Sequence, residues 1–320
     1  MKKIVYKAKS AFVSNNWDGL EKLNILIETN DYFTPVEWNK ILCKNKYYDQ
    51  LEIKYFRNKY EGCKLVKNAE ILFSFGDNRY YDKTNIKMLY YGISQPDIYD
   101  YAKSIVYYAK GFSSQAIAEY CLAYSLIMIN DYAKYFKHQC QKIWKQAEFK
   151  TSNAIAEKAI GILGLGYNGR SISKLFRQLG CKVYGYDINK DNANIVDVFC
   201  DSFEDLLKAS DILIISVNLT PDTKNMFNIN SLSLMKESAV LINVSRGGIV
   251  KEDDLFNVLK DKKLHGAVLD VTVDEPLSRY SKLWALENLI ITPHVSGNIN
   301  KYYTNVMNDF SRKLSHFIDN

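Results

Sequence analysis

The chain has 320 residues, of which 47% are hydrophobic and 24% are charged, a composition typical of globular proteins and not of disordered ones. Its length predicts two domains of about 150 residues each. The formal charge is +6, but the basic residues are scattered along the chain, which argues against a nucleic-acid-binding protein.

The spacing of the cysteines and the length of the apolar runs indicate whether the chain has a metal site, where it is located and whether it spans a membrane. No two of the six cysteines have CxxC spacing, so neither a zinc ribbon nor a thioredoxin-like site is predicted, and the pattern suits a reducing cytosol. Lys7 and Lys9 interrupt the segment where a secretory signal needs an apolar stretch. The longest apolar run, residues 120–129, is about half of a membrane span. We therefore expect a cytoplasmic protein without a metal site or a membrane segment.

The first half of the chain predicts an α/β domain, which we interpret as flavodoxin-like. Apolar segments predict strands at residues 23–28, 69–75, 86–91 and 104–109. An amphipathic segment predicts a helix at residues 35–44, and a long apolar helix is predicted at residues 114–129.

The second half alternates short apolar strands with amphipathic helices, which predicts a Rossmann-type, doubly wound parallel sheet. The predicted strands are residues 159–163, 182–186, 211–217, 239–244, 266–270 and 289–292. The predicted helices are residues 170–179, 203–208, 231–236 and 251–260. Together the two halves predict an α/β protein with two domains, each built around its own sheet.

Three glycines, Gly164, Gly166 and Gly169, form a GxGxxG motif between a predicted strand and a predicted helix, the setting in which this motif binds a dinucleotide. The first glycine permits a tight turn, the second lets the backbone approach a pyrophosphate, and the third lets helix and strand pack closely. The pyrophosphate then lies against N–H groups at the helix N-terminus. Tyr167 and Asn168, inside the motif, are assigned to the same cofactor site.

Asp187 ends the next predicted strand, 23 residues after Gly164. A carboxylate at this position accepts hydrogen bonds from the adenosine ribose, and it repels a 2′-phosphate, so NAD is favoured over NADP. Lys190 lies near enough in sequence to attract a phosphate, and the strictness of the preference stays open. Outside this context, the same residues would be a glycine-rich turn and an ordinary surface aspartate.

Three polar segments follow predicted strands, at residues 243–248, 270–276 and 292–297. Ligands of open parallel sheets bind at the carboxyl ends of the strands, so these segments are expected to meet at the cofactor's edge of the sheet. Hydride transfer at an alcohol carbon needs an acid–base group such as histidine, a carboxylate that holds the imidazole and a guanidinium that binds a substrate carboxylate. Singly, His294, Glu275 or Arg246 could be structural, so the interpretation depends on their joint occurrence.

These segments resemble the D-isomer-specific 2-hydroxyacid dehydrogenases. The resemblance rests on Val-Ser-Arg-Gly-Gly at residues 244–248, on residues 270–276 and on Thr-Pro-His at residues 292–294. The Leu-Thr-Pro-Asp-Thr loop at residues 219–223 and the Ala-Ile-Ala-Glu segment at residues 116–119 also resemble that family. The resemblance implies that His294 is the general acid–base, Glu275 its partner and Arg246 the substrate anchor.

The resemblance further implies hydride transfer between NAD and C2 of a small 2-hydroxy or 2-keto acid. The implied NAD contacts beyond the glycine motif are Asp187, Thr220, Val244, Asp270 and Gly297. The loop that binds the substrate carboxylate is expected after the strand that ends near Tyr91, where the candidates are Gly92, Ile93 and Ser94, without the family's usual Val-Asp after them. Asn168 and Asn218 also depart from the usual family residues, but neither replaces a catalytic group.

On this basis, residues 1–112 and 298–320 are expected to form a substrate domain and residues 113–297 an NAD-binding domain, with the active site in the cleft and a homodimer in solution. Three alternatives stay open. One is an NAD(H)-sensing binding module on the same fold with little turnover. Another is a related dehydrogenase for a substrate that is not a hydroxy acid, such as formate or phosphite, although formate-type enzymes have a glutamine where Glu275 stands. The third is an oxidoreductase of surface-sugar or amino-acid biosynthesis with an unusual substrate, because the first half of the chain resembles the family less closely.

Overall fold

The structure is a computed structural model that describes residues 22–31, 33–75, 85–93, 104–144 and 154–320. The chain divides into two compact units, one of residues 1–110 and 300–320 and one of residues 111–299. Both units are α/β, and all paired strands among the described residues are parallel. The predicted fold class is confirmed.

The described strands and helices alternate along most of the chain. The strands are β1 Leu23–Glu28, β2 Leu51–Phe56, β3 Ile71–Ser74, β4 Met88–Tyr91, β5 Ile105–Tyr108, β6 Ala159–Leu163, β7 Lys182–Tyr186, β8 Val198–Phe199, β9 Ile212–Ile215, β10 Val240–Asn243, β11 Gly266–Leu269 and β12 Leu289–Ile291. The helices are α1 Pro35–Leu42, α2 Lys59–Leu65, α3 Ser114–Ile129, α4 Tyr132–Cys140, α5 Tyr167–Gln178, α6 Phe203–Ala209, α7 Ile229–Leu232, α8 Glu252–Lys260 and α9 Tyr302–Asp319.

The sheet of the first unit has the strand order β2-β1-β3-β4-β5, which is the flavodoxin-like order. Its central strands β3 and β4 are buried along their whole length, as expected for parallel strands covered on both faces. The C-terminal helix α9 belongs to this unit, and its Phe310 packs edge-to-face on Phe73 and Tyr90 of the sheet. The Tyr90 hydroxyl donates to Asp309 of the same helix at 2.7 Å.

The sheet of the second unit has the order β12-β11-β10-β9-β6-β7-β8. The strand order reverses between β6 and β9, and ligands of doubly wound folds bind at this switch point, beyond the carboxyl ends of the strands. Alternate residues of the central strands enter two apolar clusters on opposite faces of the sheet. Helices α3 and α5 contribute to the cluster that contains Ile160 and Ile214, and helices α6 and α8 contribute to the cluster that contains Leu213 and Leu241.

The structure differs locally from the sequence predictions, and helices α2 and α4 and strand β8 were not predicted. Helix α5 begins at Tyr167 and not at residue 170, because the last residues of the glycine motif form its first turn. The helix predicted at residues 231–236 is the shorter α7, which begins after the N-cap Asn228, whose side chain accepts from the N–H of Asn230 and Ser231. Strand β2 was not predicted, although its apolar and polar residues alternate as in a half-buried strand at the edge of a sheet.

Candidate active site

The glycine motif forms a tight turn between β6 and α5. Gly164 has a φ of +91°, and a Cβ there would lie 2.8 Å from the carbonyl oxygen of Ser216, so no other residue fits without strain. A Cβ on Gly169 would lie 2.1 Å from the carbonyl oxygen of Gly164, which explains why helix and turn can pack so closely. A Cβ on Gly166 would meet nothing within 4 Å. Open space therefore lies beside the backbone at the N-terminus of α5, where a pyrophosphate would bind.

Asp187 follows β7 and is fixed by the glycine turn. Its Oδ2 accepts a hydrogen bond from the N–H of Leu165 at 2.7 Å, and its Oδ1 accepts from the N–H of Asn189 at 2.8 Å. The side chain is only partly buried. The carboxylate is therefore held at the edge of the sheet next to the glycine motif, in an orientation that two backbone donors determine.

The first turn of α5 also contacts the start of α3. The Ser114 hydroxyl donates to Asn168 Oδ1 at 2.7 Å, so the side chain of Asn168 is held by α3. Tyr167 is exposed, and its ring lies against Gly111, where a Cβ would come within 2.8 Å of the ring. Asn168 is thus held in place, whereas the ring of Tyr167 is open to solvent.

The loops after β9 and β10 are joined by hydrogen bonds. The Ser245 hydroxyl donates to the carbonyl oxygen of Val217. Thr220 lies in an exposed turn, in which its N–H donates to Thr223 Oγ1 at 2.8 Å. Val244 is buried directly after β10. The loops that follow β6, β9 and β10 therefore lie side by side at the carboxyl ends of the strands, and we call them, together with the loops after β11 and β12, the row of loops.

Arg246 lies in the loop after β10 and is partly exposed. Its backbone carbonyl accepts from Asn243 Nδ2 at 3.0 Å, and its Nη1 donates to the carbonyl oxygen of Ser245 at 2.7 Å. The next residue, Gly247, packs against the following loop so closely that a Cβ would lie 2.0 Å from the carbonyl carbon of Thr272. The Arg246 loop is therefore in contact with the segment that leads to Glu275.

His294 and Glu275 form a hydrogen-bonded pair at this edge of the sheet. The distance between His294 Nδ1 and Glu275 Oε2 is 2.8 Å, and both side chains are close to half exposed. Glu275 is itself oriented by the N–H of Thr272, which donates to its Oε1 at 3.2 Å. With Nδ1 bound to a carboxylate, the imidazole has Nε2 available for a ligand.

Asp270 is buried directly after β11, and its carboxylate organises the turn of residues 292–296 that contains His294. Its Oδ1 accepts from Thr292 Oγ1 at 2.6 Å and from the N–H of Val295 at 2.8 Å, and its Oδ2 accepts from the N–H of Ser296 at 3.0 Å. Gly297, the last residue assigned to the cofactor, accepts from the Ser113 hydroxyl at 2.6 Å through its carbonyl oxygen.

The candidate substrate loop belongs to the first unit. Gly92 is buried at the end of β4, where its carbonyl oxygen accepts from the Tyr302 hydroxyl at 3.0 Å. Ile93 is partly buried. Ser94 lies outside the described residues. A Cβ on Gly92 would lie 2.8 Å from the ring of Phe73, so the small residue is needed for packing in this unit.

In the described ranges, no group of three or more His, Cys, Asp or Glu residues is arranged to hold a metal ion. Across the same part of the chain, no helix combines the length and the apolar character that are needed to cross a membrane.

Several contributing residues were not identified from the sequence. Ser114 holds Asn168, and the hydroxyl of Tyr120 lies 2.6 Å from Thr292 Oγ1. Both belong to α3, far in sequence from the motifs they contact. Their only sequence signal is a polar group at an inward-facing position of an apolar helix, which has many structural explanations.

Comparison with known proteins identifies relatives of the second unit. Residues 122–296 match the family model described as "D-isomer specific 2-hydroxyacid dehydrogenase, NAD binding domain". The D-3-phosphoglycerate dehydrogenase of Haemophilus influenzae is 31% identical over 223 residues, which are 67% of this chain and 53% of the relative. The glycerate dehydrogenase of Methylorubrum extorquens is 43% identical over 144 residues, which are 44% of each chain. The chain thus spans about half the length of the curated relatives that it matches.

Solved structures share the fold over nearly the whole chain. The NAD-complexed form of a D-isomer specific 2-hydroxyacid dehydrogenase from Lactobacillus delbrueckii ssp. bulgaricus has a TM-score of 0.75 and 23% sequence identity. The match covers 92% of this chain and 97% of that chain. At this identity the likeness concerns the two-domain fold.

Proposed function

Because the chain belongs to the D-isomer specific 2-hydroxyacid dehydrogenase family and has its NAD-binding domain, we propose that it transfers a hydride between NAD and C2 of a small 2-hydroxy or 2-keto acid. The observation that carries the proposal is the His294–Glu275 pair, 2.8 Å apart, in the same row of loops as Arg246 and the glycine motif. These are the acid–base, carboxylate and guanidinium groups that the reaction requires.

The residues of the second unit fit NAD. The open space beside Gly166 and the N-terminus of α5 suit a pyrophosphate, and the oriented carboxylate of Asp187 suits ribose hydroxyls. When bound, the nicotinamide supplies or accepts the hydride. We assign these residues to the cofactor: Gly164, Gly166, Tyr167, Asn168, Gly169, Asp187, Thr220, Val244, Asp270 and Gly297.

His294 is the proposed general acid–base. In the direction of reduction, Nε2 donates a proton to the carbonyl oxygen of the keto acid, which becomes the hydroxyl oxygen of the product. In the direction of oxidation, Nε2 removes that proton as the hydride leaves C2. Glu275, hydrogen-bonded to Nδ1, fixes the tautomer and the orientation of the ring and stabilises its charged form.

Arg246 is the proposed anchor for the substrate. One of its N–H groups donates to the carbonyl oxygen of Ser245, which orients the guanidinium and leaves further donors for the substrate's carboxylate and carbonyl oxygen. A cation beside the carbonyl oxygen also stabilises the negative charge that develops there during hydride transfer.

The proposal extends to the whole protein. Residues 1–112 and 298–320 would form the substrate domain, in which Gly92 and Ile93 bind the substrate carboxylate, and residues 113–297 would form the NAD-binding domain. Gly92 supports this assignment because it lies at the carboxyl end of β4, where open sheets bind ligands. We also propose a cytoplasmic homodimer. The buried thiols of Cys121, Cys181 and Cys200 are free, which is consistent with a reducing compartment.

A direct test follows the oxidation of NADH, through the absorbance of reduced nicotinamide, against a panel of 2-keto acids. The panel contains glyoxylate, hydroxypyruvate, pyruvate and bulky branched and aromatic acids, and a parallel titration measures NADH binding. We expect turnover of at least one acid. NADH binding without turnover on any acid would contradict the proposal and favour a cofactor-sensing module on the same fold.

A further inference from the structure

The turn that contains His294 is attached to one buried carboxylate. Asp270, which is 1% exposed, accepts from the Thr292 hydroxyl on one side of His294 and from the N–H groups of Val295 and Ser296 on the other side. Its backbone carbonyl also accepts from the N–H of His294 at 2.8 Å. A buried carboxylate must be matched by donors, so the turn and the carboxylate depend on each other.

His294 has a backbone conformation that needs such support. Its φ is +54°, in the left-handed region that residues other than glycine seldom occupy. A conformation of this kind persists when the surrounding contacts determine it. The donors to Asp270 come from residues on both sides of His294, and they are the contacts that hold the turn in this shape.

A tyrosine of α3 completes the arrangement. The Tyr120 hydroxyl lies 2.6 Å from Thr292 Oγ1, which in turn lies 2.6 Å from Asp270 Oδ1. The Thr292 hydroxyl donates to Asp270 Oδ1, and a hydroxyl has only one proton to donate. Tyr120 must then donate to Thr292. The direction of every hydrogen bond in the chain Tyr120–Thr292–Asp270 is therefore determined.

Tyr120 is suited to remain a donor. Burial raises the pKa of its phenol above the ordinary value, so the hydroxyl keeps its proton over the working pH range. The helix that presents it is well fixed, because Ile117, Ala118 and Cys121 are buried in the apolar cluster on one face of the sheet. The hydrogen bond thus ties the His294 turn to a rigid element of the same unit.

We propose that Tyr120 is a positioning residue for His294, acting through Thr292 and Asp270. The inference rests on the proposed function, because it presumes that His294 exchanges a proton with the substrate. Tyr120 does not contact the atoms between which the proton or the hydride is transferred. It holds the turn in the one orientation from which the imidazole reaches both Glu275 and the substrate, so its hydroxyl affects turnover more than substrate or cofactor binding.

The test compares Tyr120→Phe with Tyr124→Phe. Both changes remove one phenolic hydroxyl from α3, and the two rings lie against each other with centroids 4.3 Å apart, but within the described residues the Tyr124 hydroxyl makes no hydrogen bond. We expect Tyr120→Phe to lower kcat by about ten-fold, with KM and the Kd for NADH within about two-fold of wild type. Tyr124→Phe is expected to match wild type in all three.

Variants of Thr292 test whether Tyr120 acts on Asp270 through the Thr292 hydroxyl. Thr292→Ser keeps the hydroxyl and is expected to keep most of kcat, whereas the isosteric Thr292→Val is expected to lower it at least as much as Tyr120→Phe. The double variant Tyr120→Phe/Thr292→Val is expected to be no slower than Thr292→Val alone, because both changes break the same chain. Additive losses of kcat would contradict a path through Thr292.

Amide hydrogen exchange of residues 292–296 gives a readout that does not depend on turnover. We expect faster exchange of the Val295 and Ser296 amides in Tyr120→Phe and unchanged exchange in Tyr124→Phe. If wild type shows no turnover but this difference appears, the proposed function fails while the positioning of the turn stands. Unchanged exchange in Tyr120→Phe, or a kcat equal to wild type, would overturn the proposal for Tyr120.

Discussion

At the scale of single residues, the site depends on charged groups whose orientation is set by neighbouring backbone. Asp187 is held by the N–H groups of Leu165 and Asn189, and Glu275 by the N–H of Thr272. Oriented in this way, a carboxylate loses little freedom when a ligand or a partner side chain binds it. Substitutions at these positions therefore test function directly.

Removing the carboxylate of Asp187 is expected to change the choice of cofactor. Asp187→Ala abolishes the repulsion of a 2′-phosphate, so the ratio of the Kd for NADPH to the Kd for NADH is expected to fall by about ten-fold or more. Fluorescence titration with both nucleotides measures this ratio. The exposed Asp191 provides the control Asp191→Ala, and an equal ratio in the two variants would remove Asp187 from the selecting role.

Glu275→Gln separates the charge of the partner carboxylate from its size. The amide keeps an acceptor near His294 Nδ1 but cannot stabilise a charged imidazole, so kcat is expected to fall by about 10- to 100-fold with NADH binding unchanged. Steady-state kinetics on the best keto acid and a parallel NADH titration provide the measurement. Glu287→Gln, at an exposed position, is the control, and a kcat equal to this control would contradict the role of Glu275.

At the scale of elements, the sequence predicted every described strand except β2 and β8, which each lie at one edge of a sheet. Strands β1, β6 and β7 have the predicted bounds. Strand β6, in the interior of its sheet, is apolar and buried almost throughout, as expected for a parallel strand covered on both faces. Strand β2 lies at the edge, and its residues alternate between buried and exposed. Strand β8 has two residues, too few for a recognisable pattern.

The site could be predicted from sequence only where its residues follow strands. His294, Arg246 and the glycine motif come directly after apolar runs, and parallel topology brings such positions to one edge. The contact of Tyr120 with Thr292 joins residues 172 positions apart, across the packing of a helix on a sheet. Helix α3 is apolar around most of its circumference, so sequence periodicity does not predict which of its side chains contact the sheet.

Two glycines of the turn between β6 and α5 are expected to differ when replaced by alanine. Gly169→Ala forces a Cβ against the carbonyl oxygen of Gly164, so the free energy of unfolding is expected to fall by about 1–3 kcal/mol and NADH affinity to fall with it. Gly166→Ala adds a methyl group in open space and is expected to weaken NADH binding alone. Thermal unfolding and NADH titration test both variants, and equal effects on stability would contradict this account of the turn.

At the scale of the whole molecule, each unit has its own sheet and its own apolar core. The first unit is completed by the last segment of the chain, since Phe310 of α9 packs on Trp38, Phe73 and Tyr90. These three side chains therefore cannot reach their final packing before α9 is in place.

Replacing Phe310 of α9 by alanine is expected to destabilise the first unit but not the second. Phe310→Ala removes a fully buried ring, which costs about 3–5 kcal/mol, and amide hydrogen exchange in β3 and β4 is expected to accelerate strongly. The exposed Phe136 provides the control Phe136→Ala. Exchange in β6 and β9 of the second unit is expected to stay at the wild-type level, and equal acceleration in both sheets would contradict independent cores.

The proposed reaction requires His294 to exchange the proton that accompanies hydride transfer at C2. The most direct measurement compares kcat for NADH-dependent reduction of the best 2-keto acid in wild type, His294→Ala and the control His316→Ala, with NADH binding titrated in each protein. We expect kcat to fall by roughly 100- to 10,000-fold in His294→Ala alone, with NADH affinity nearly intact in all three proteins. A His294→Ala enzyme that turns over as fast as wild type would contradict this role of His294.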